Sequence, residues 1–441
     1  MKKRRVLAVI LAMVLVLGVT ACGSKVENPT EAPKATDAGK ADGTTAAPEP
    51  TEVKTLEFLW FSDGDEGIAM RKVLDKYEAE HPGIKVELLE VAGADYEEKL
   101  LMAISGGEPP ALSRVNTAIK YKDVSLDLTD IFGSVEEYYD LYWDVIQGVD
   151  HYVVDGKINA IPGEASMVAM AYNKTLFDQA GVKVPQTMDE IWTWEEYLDA
   201  LKTVKEKTGV RYGLALDNSG QRFVTVMYQH GGKMSDENGQ PTFASEETKK
   251  TLERLKEMAD SDLLMKSGWV GGEDENNMFK AGQVATHIGG SWLLSDYGKN
   301  ITDFEWGFTY MPKEICNASV VTTKYFVGFQ GSGVEEETKD LLKYLASKEA
   351  KSFYEDSLYI SPWKDASDLV YETGADAFRI LNDEASMTSE SSRWSTMNAS
   401  IWTALHPTIR DSVAEYLAGS KTVEEAMKAV DAKHAELLAE K

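Results

Sequence analysis

The sequence is poor in cysteine, histidine and positive charge, and each shortage closes off a class of fold or function. Two cysteines, Cys22 and Cys316, in 441 residues cannot build the disulfide framework that staples small secreted domains. Lys and Arg number 46 against 73 Asp and Glu, a net charge of −27. That balance argues against nucleic acid, whose phosphates reward a positive surface, and against direct adsorption to anionic lipid. The six histidines, His81, His151, His230, His287, His406 and His434, are scattered, with neither an HExxH nor a close pair to hold a metal. There is no GxSxG elbow, no phosphate-binding loop and no fixed-period repeat. The acidic stretch at Asp236-Glu237-Asn238-Gly239 lacks the full spacing of a calcium loop and reads as a solvated turn. No catalytic residue, metal or cofactor is therefore expected, although 73 carboxylates leave a chance acid pair of the glycosidase kind open.

What is present begins with the N-terminus. Residues 2–5 are basic, 6–18 are almost wholly apolar, and Val19-Thr20-Ala21-Cys22 closes the stretch. This is the layout of a secretory signal, too short and wrongly flanked for a stable membrane span. The last four residues match a lipoprotein signal-peptidase box, which, if used, would make Cys22 the acylated first residue of the mature chain. Ordinary cleavage near Ala21 is the alternative. Once Cys22 is lipidated, Cys316 has no partner and is expected to be a small buried residue. Removing residues 1–21 leaves 42 Lys and Arg against 73 acids, a net charge of −31. Residues 22–52, rich in Ala, Pro, Thr, Gly and charge, bury too little apolar surface to order and read as a lipidated tether.

Beyond the tether, strands and helices alternate. A strand at 55–61, a polar turn, a helix at 67–80, a strand at 84–91 and a helix at 96–104 open an α/β unit, with the loop around 63–65 on its ligand-facing edge. Residues 117–154, acidic and aromatic with the run YYDLYW, are expected to form one amphipathic surface helix. An alternating strand ends at Gly163, a buried strand follows at 166–172, and a short helix at 175–180 closes at Gly181. Thr193 and Glu196 form a capping box for a helix with Tyr197, Leu198, Leu201 and Val204 inward, and Thr422 and Glu425 form another near the C-terminus. Strands are expected at 212–217, 283–288 and 318–330, and Gly289-Gly290-Ser291-Trp292 opens a helix.

The run YNKTLFDQAG followed by VPQTMDEIWTWEEYLDAL resembles the extracellular sugar-type (family 1) solute-binding proteins of bacterial ABC transporters, through Tyr172, Asn173, Lys174, Ala180, Gly181, Pro185, Thr187 and Glu190. The phrases FKAGQVATHIGGSW and KYLASKEAKSFYEDS extend the likeness, which covers about residues 53–438. Two departures stand out: Met188 replaces a tryptophan, and Pro110-Ala111 lacks the family's aspartate. The resemblance implies an α/β, two-lobed, periplasmic-binding-protein-like fold with discontinuous lobes and an interlobe cleft. The lobes would be 53–163 plus 320–362 and 164–319 plus 363–441, joined by crossings near 162–166, 317–322 and 361–365.

The function so implied is that of an extracellular carbohydrate-binding component of an ABC importer. It would capture an oligosaccharide by hinge closure and deliver it to permease subunits, as a monomer held on the outer face of the cytoplasmic membrane by lipid on Cys22. Sugar recognition needs flat aromatics against the apolar faces of pyranose rings, and polar groups that fix the hydroxyls. The expected contacts are Trp60 and Trp292 as stacking rings and Asp63 and Glu164 as acceptors from sugar hydroxyls, with Trp363 and Arg222 next. Arg114 and Asn116 are candidates for the first lobe's wall. A non-sugar solute such as a glycerophosphodiester, a secreted polysaccharide hydrolase or lyase, and an adhesive lipoprotein remain as alternatives.

Overall fold

The computed structural model describes residues 53–62, 66–93, 95–143, 152–372 and 374–440. The expected signal, the lipid site at Cys22, the tether and Asp63 lie outside the described residues. The strands are β1 (Lys54–Phe61), β2 (Ile84–Val91), β3 (Leu112–Val115), β4 (Val153–Val154), β5 (Lys157–Ile158), β6 (Ile161–Met167), β7 (Met170–Asn173), β8 (Tyr212–Leu216), β9 (Val284–Ile288), β10 (Trp306–Thr309) and β11 (Val321–Gly328). They make a five-stranded sheet in the order β2-β1-β3-β11-β6, a four-stranded sheet in the order β10-β7-β9-β8, and the hairpin β4-β5.

In the first sheet β1 runs parallel to β2 and β3, and β11 returns antiparallel to β3 and β6. Leu56, Phe58 and Trp60 on β1 are fully buried, as are Met70 and Leu74 on the helix Glu66–Glu80. Each such side chain contributes about 1.5–3 kcal/mol by leaving water. In the second sheet β8 and β9 are parallel while β7 and β10 run against their neighbours. Both expected capping boxes are present. Thr193 caps the helix Trp194–Thr208 and Thr422 caps Val423–Ala439, each with the reciprocal glutamate at N3.

The chain passes from the first sheet to the second between Met167 and Met170, and back between Thr309 and Val321. These two passages are tied together: the Val168 amide donates to the Val320 carbonyl at 3.1 Å, and the Ser319 hydroxyl donates to the Val168 carbonyl at 2.6 Å. The strand expected to end at Gly163 runs on to Met167, still paired with β11. Gly163 marks a close approach, since a Cβ there would lie 2.7 Å from the Phe326 ring.

The expected single surface helix over 117–154 is not found. Its described part holds a 3-10 turn at Ala118–Tyr121, short helices at Thr129–Phe132 and Val135–Asp140, and β4, the first strand of the β4-β5 hairpin. Tyr138, Tyr142 and Tyr152 are fully buried, with ring centroids 5.1 and 5.7 Å from Tyr138 to the other two. The Tyr138 hydroxyl donates to the Ala160 carbonyl at 2.7 Å. Tyrosines carry enough apolar area to draw a segment into the core once the hydroxyl has a partner.

Candidate functional site: a cleft beside the first sheet

A cleft of about 320 Å³ opens between the first sheet and the helices that carry Gln221 and Trp402. One wall comes from the first sheet: Asn116 and Thr117 just past β3, Ser166 on β6, and Thr322, Thr323, Lys324 and Tyr325 on β11. The facing wall is Gln221 on the helix Gly220–Gln229, Ser395 and Thr396, and Trp402, Thr403 and His406 on the helix Ala399–Ala418. A larger hollow of about 890 Å³ lies between residues 364–367 and the helix Ala375–Met387. It takes nothing from the strand ends where open α/β sheets place their ligands, so the smaller cleft is the candidate site.

Strand register builds the first wall. Antiparallel pairing sets Ser166 opposite Thr322, with their hydroxyls 2.9 Å apart, and Glu164 opposite Lys324. The Lys324 ammonium lies 5.5 Å from the centroid of Phe61, which stacks on Tyr96 at 4.2 Å. The Tyr96 hydroxyl accepts from the Asn116 side-chain amide at 3.1 Å. An aromatic shelf thus supports an amide and a cation at the cleft edge.

Helix periodicity builds the second wall. Ile401, Leu405 and Ile409 bury one stripe of the helix Ala399–Ala418, and Trp402 and His406, one position over at i and i+4, flank it. Their rings meet edge to face at 5.3 Å, and His406 Nε2 lies 3.1 Å from the Ser219 hydroxyl. Burial, reinforced by the charges of Arg222 and Arg410, holds the His406 imidazole below its ordinary pKa, so it is neutral at pH 7. The described lining residues are therefore mostly hydroxyls and amides around one indole, with no carboxylate among them. Among the described residues no cluster of three or more His, Cys, Asp or Glu is placed to hold a metal.

The residues picked out from sequence divide sharply. Arg222 and Trp292 come together, the guanidinium carbon 4.4 Å from the ring centroid. Trp292 is half-buried, and neither it nor Arg222 lines the cleft itself. Trp60 is 0% exposed, its N–H on the Ser62 hydroxyl at 3.1 Å and its ring among Phe58, Phe326 and Phe353. Trp363 is 3% exposed, its N–H on the Ala346 carbonyl at 3.2 Å and its ring edge-on to Tyr354. Trp60 was expected to stack on a ligand and Trp363 to be a further contact, and both rings instead pack the core.

Glu164 also points inward. It is 1% exposed, and Oε1 accepts from Arg114 Nε at 3.1 Å and from Arg114 Nη2. Arg114, itself fully buried, reaches the Phe61 carbonyl at 2.5 Å and Glu66 at 3.3 Å. The carboxylate expected to receive sugar hydroxyls is thus engaged in a buried Glu-Arg-Glu cluster, where ionic groups persist only when paired. Of the two first-lobe candidates, Asn116 lines the cleft and Arg114 does not. Trp402, His406, Lys324 and Gln221 were not foreseen; for Trp402 and His406 the signal was their i, i+4 spacing beside an apolar stripe.

The family model for bacterial extracellular solute-binding proteins matches residues 72–385. The chain belongs to that family. This solute-binding protein is 22% identical over 308 residues to a lactose-binding protein of Rhizobium radiobacter, covering 67% of this chain and 71% of the relative. It is 23% identical to an arabinooligosaccharide-binding protein of Bacillus subtilis over 67% of this chain and 64% of that one. Among solved structures, an ABC substrate-binding protein of Listeria monocytogenes in complex with cycloalternan superposes with a TM-score of 0.73 at 22% identity, covering 88% of this chain and 100% of that one. A cyclic alpha-maltosyl-1,6-maltose binding protein of Arthrobacter globiformis gives 0.72 at 18% identity, covering 88% and 100%. The shared fold is the α/β periplasmic-binding-protein-like architecture. Family membership makes the chain a binder of solutes and not an enzyme.

Proposed function

We propose that this solute-binding protein is the lipid-anchored carbohydrate-binding component of an ABC importer, taking an oligosaccharide into the interlobe cleft and passing it to permease subunits. The observation that carries the reading is the chemistry of the cleft. Asn116, Ser166, Thr322, Gln221, Thr396 and Thr403 offer neutral donors and acceptors on both walls, with the Trp402 indole among them. Neutral hydroxyls and amides match the hydroxyls of a sugar, and an indole matches its apolar face. A phosphodiester would call for converging cations, whereas the described lining has Lys324 beside a neutral His406. The relatives named for lactose and for arabinooligosaccharide support the same class.

The volume, about 320 Å³, lies at the small end of ligand pockets, roughly 300–1,000 Å³. An oligosaccharide would seat one unit there and run outward. In this reading the lobes divide at 168–169 and within 310–320, and closure swings the Trp402 wall toward the Asn116 wall. The acyl group on Cys22 and the tether 22–52 would keep the monomer near its permease. Calorimetry of the purified chain against lactose, raffinose, arabinotriose and maltotriose tests this reading. Saturable binding is expected, and Trp402→Ala is expected to weaken it about tenfold, equivalent to about 1.4 kcal/mol, with an unchanged melting temperature. A folded protein that binds none of these or any wider panel of carbohydrates sinks the assignment.

A further inference from the structure

Arg222 is set apart by how completely its guanidinium is used. Its side chain is 12% exposed. Nε and Nη2 donate to Asp217 Oδ2 at 3.2 and 2.9 Å, and Nη1 donates to Gln221 Oε1 at 2.6 Å. Nη1 also points at the Ser219 hydroxyl, 3.5 Å away, which in turn meets His406 Nε2. The guanidinium carbon lies over the Trp292 ring, 4.4 Å from its centroid. Two of the residues reached in this way, Gln221 directly and His406 through Ser219, line the cleft.

Asp217 anchors the assembly. It follows β8, and its second oxygen, Oδ1, is 2.6 Å from His287 Nε2 on β9. The other nitrogen of His287 meets the Tyr297 hydroxyl, on the helix Leu294–Asn300 that begins two residues after Trp292. Burial pushes the Asp217 carboxyl up, but His287 and Arg222 outweigh it and hold the carboxyl below its usual range. One carboxylate therefore fixes the Trp292 ring through Arg222 and the chain behind that ring through His287 and Tyr297. The ring also rests on Gly290, where a Cβ would fall 2.0 Å from its carbons.

We propose that Arg222 is a positioning residue of the binding wall and not a ligand contact: clamped by Asp217, it sets Gln221, His406 and Trp292 into one rigid surface. A planar fork is required for this, because a lysine keeps the charge but can neither stack on the indole nor bridge Asp217 and Gln221 together. The inference deepens the carbohydrate reading for its ligand, but its first test needs none.

In the full chain with 15N-labelled tryptophan, the Trp292 indole resonance is identified by its loss in Trp292→Phe. Asp217→Asn and Arg222→Lys are each expected to shift or broaden it. An indole resonance unmoved in both overturns the proposal, whether or not any sugar binds. The second test is a double-mutant cycle on the affinity for whichever of lactose, raffinose, arabinotriose or maltotriose the wild type binds. Arg222→Lys and Gln221→Ala are each expected to weaken binding several-fold, and the double variant to bind clearly better than the product of the two effects, because part of the effect of Arg222 passes through Gln221. Effects that multiply would put Arg222 on the ligand itself and overturn the proposal. If Arg222→Lys does not fold, Asp217→Asn takes its place in the cycle with the same two outcomes. Failure of the folded wild type to bind any carbohydrate counts against the carbohydrate reading and leaves the indole test to decide this one.

Discussion

Glu384→Gln is predicted to remove a pH dependence of stability that originates beside the passage between the sheets. Glu384 sits on the helix Ala375–Met387, is 4% exposed, and its Oε1 accepts from the Met311 amide at 2.6 Å, just after β10 ends. Its neighbour Asp383 accepts from the Tyr310 hydroxyl at 2.5 Å, and Arg379 donates to the same hydroxyl at 3.1 Å. Burial pushes the Glu384 carboxyl up to about 8 from an ordinary 4.5; the Met311 amide opposes this and the Asp383 charge adds to it. A folded-state pKa raised above the unfolded one means that the native protein holds a proton which the unfolded chain has lost. The stabilisation is then complete below pH 4.5 and lost as pH rises to about 8. At 1.36 kcal/mol per pH unit the window amounts to about 5 kcal/mol at most. Glutamine keeps an oxygen for the Met311 amide and cannot ionise. Urea unfolding followed by circular dichroism at pH 5, 7 and 9 should find the two proteins similar at pH 5 and the glutamine variant more stable by several kcal/mol at pH 9. Parallel stability curves for wild type and variant across that range would refute the reasoning.

Two further substitutions probe other parts of the fold. Arg114→Ala strips the cation from between Glu66 and Glu164, both buried, and should cost about 3–5 kcal/mol; a loss below about 1 kcal/mol in denaturant unfolding would mean that the carboxylates do not depend on it. Thr193→Ala removes the hydroxyl that accepts from the Glu196 amide at 3.2 Å and should cost about 1 kcal/mol, with Thr193→Ser close to wild type and faster amide exchange in the alanine variant confined to the first turn of Trp194–Thr208.

The parts of the molecule governed by neighbours in sequence were legible, and those governed by distant partners were not. The two capping boxes needed only residues three apart, and the alternation of helix and strand needed only local period. Trp60 shows where that stops. On β1, Phe58 and Trp60 face one way and Leu59 and Phe61 the other, yet all four are buried, because a strand flanked on both sides and covered on both faces carries no inward or outward signal. Glu164 looked like a ligand acceptor beside a glycine. Only the arrival of Arg114 from β3 turns it into half of an ion pair. Gly163 read as a strand end; only the Phe326 ring on β11 shows that the glycine is there for a close approach.

The same division between local and distant control explains how the proposed closure can be confined. The first wall is held by the β6-β11 ladder and by the aromatic shelf of Phe61 and Tyr96. The second is held by Asp217 and Arg222 on one side and by the buried stripe of the helix Ala399–Ala418 on the other. Two rigid walls can approach only if the chain between them yields, and the passages at 168–169 and 310–320 are short. They are tied to their surroundings at several points: the Ser319 hydroxyl and the Val320 carbonyl meet Val168, Thr388 bonds both the amide and the carbonyl of Ser319, Gln229 bonds Ile315, Cys316 and Ala318, and Glu384 accepts from the Met311 amide. The last of these is the one whose protonation changes near neutral pH. An ionised Glu384 would still accept from Met311, but as a buried charge next to Asp383 it would favour any arrangement that lets water reach it. The stability experiment on Glu384→Gln therefore bears on motion as well. If the passage is where the lobes swing, the wild type should gain amide exchange at 310–320 between pH 6 and 9, and the glutamine variant should not.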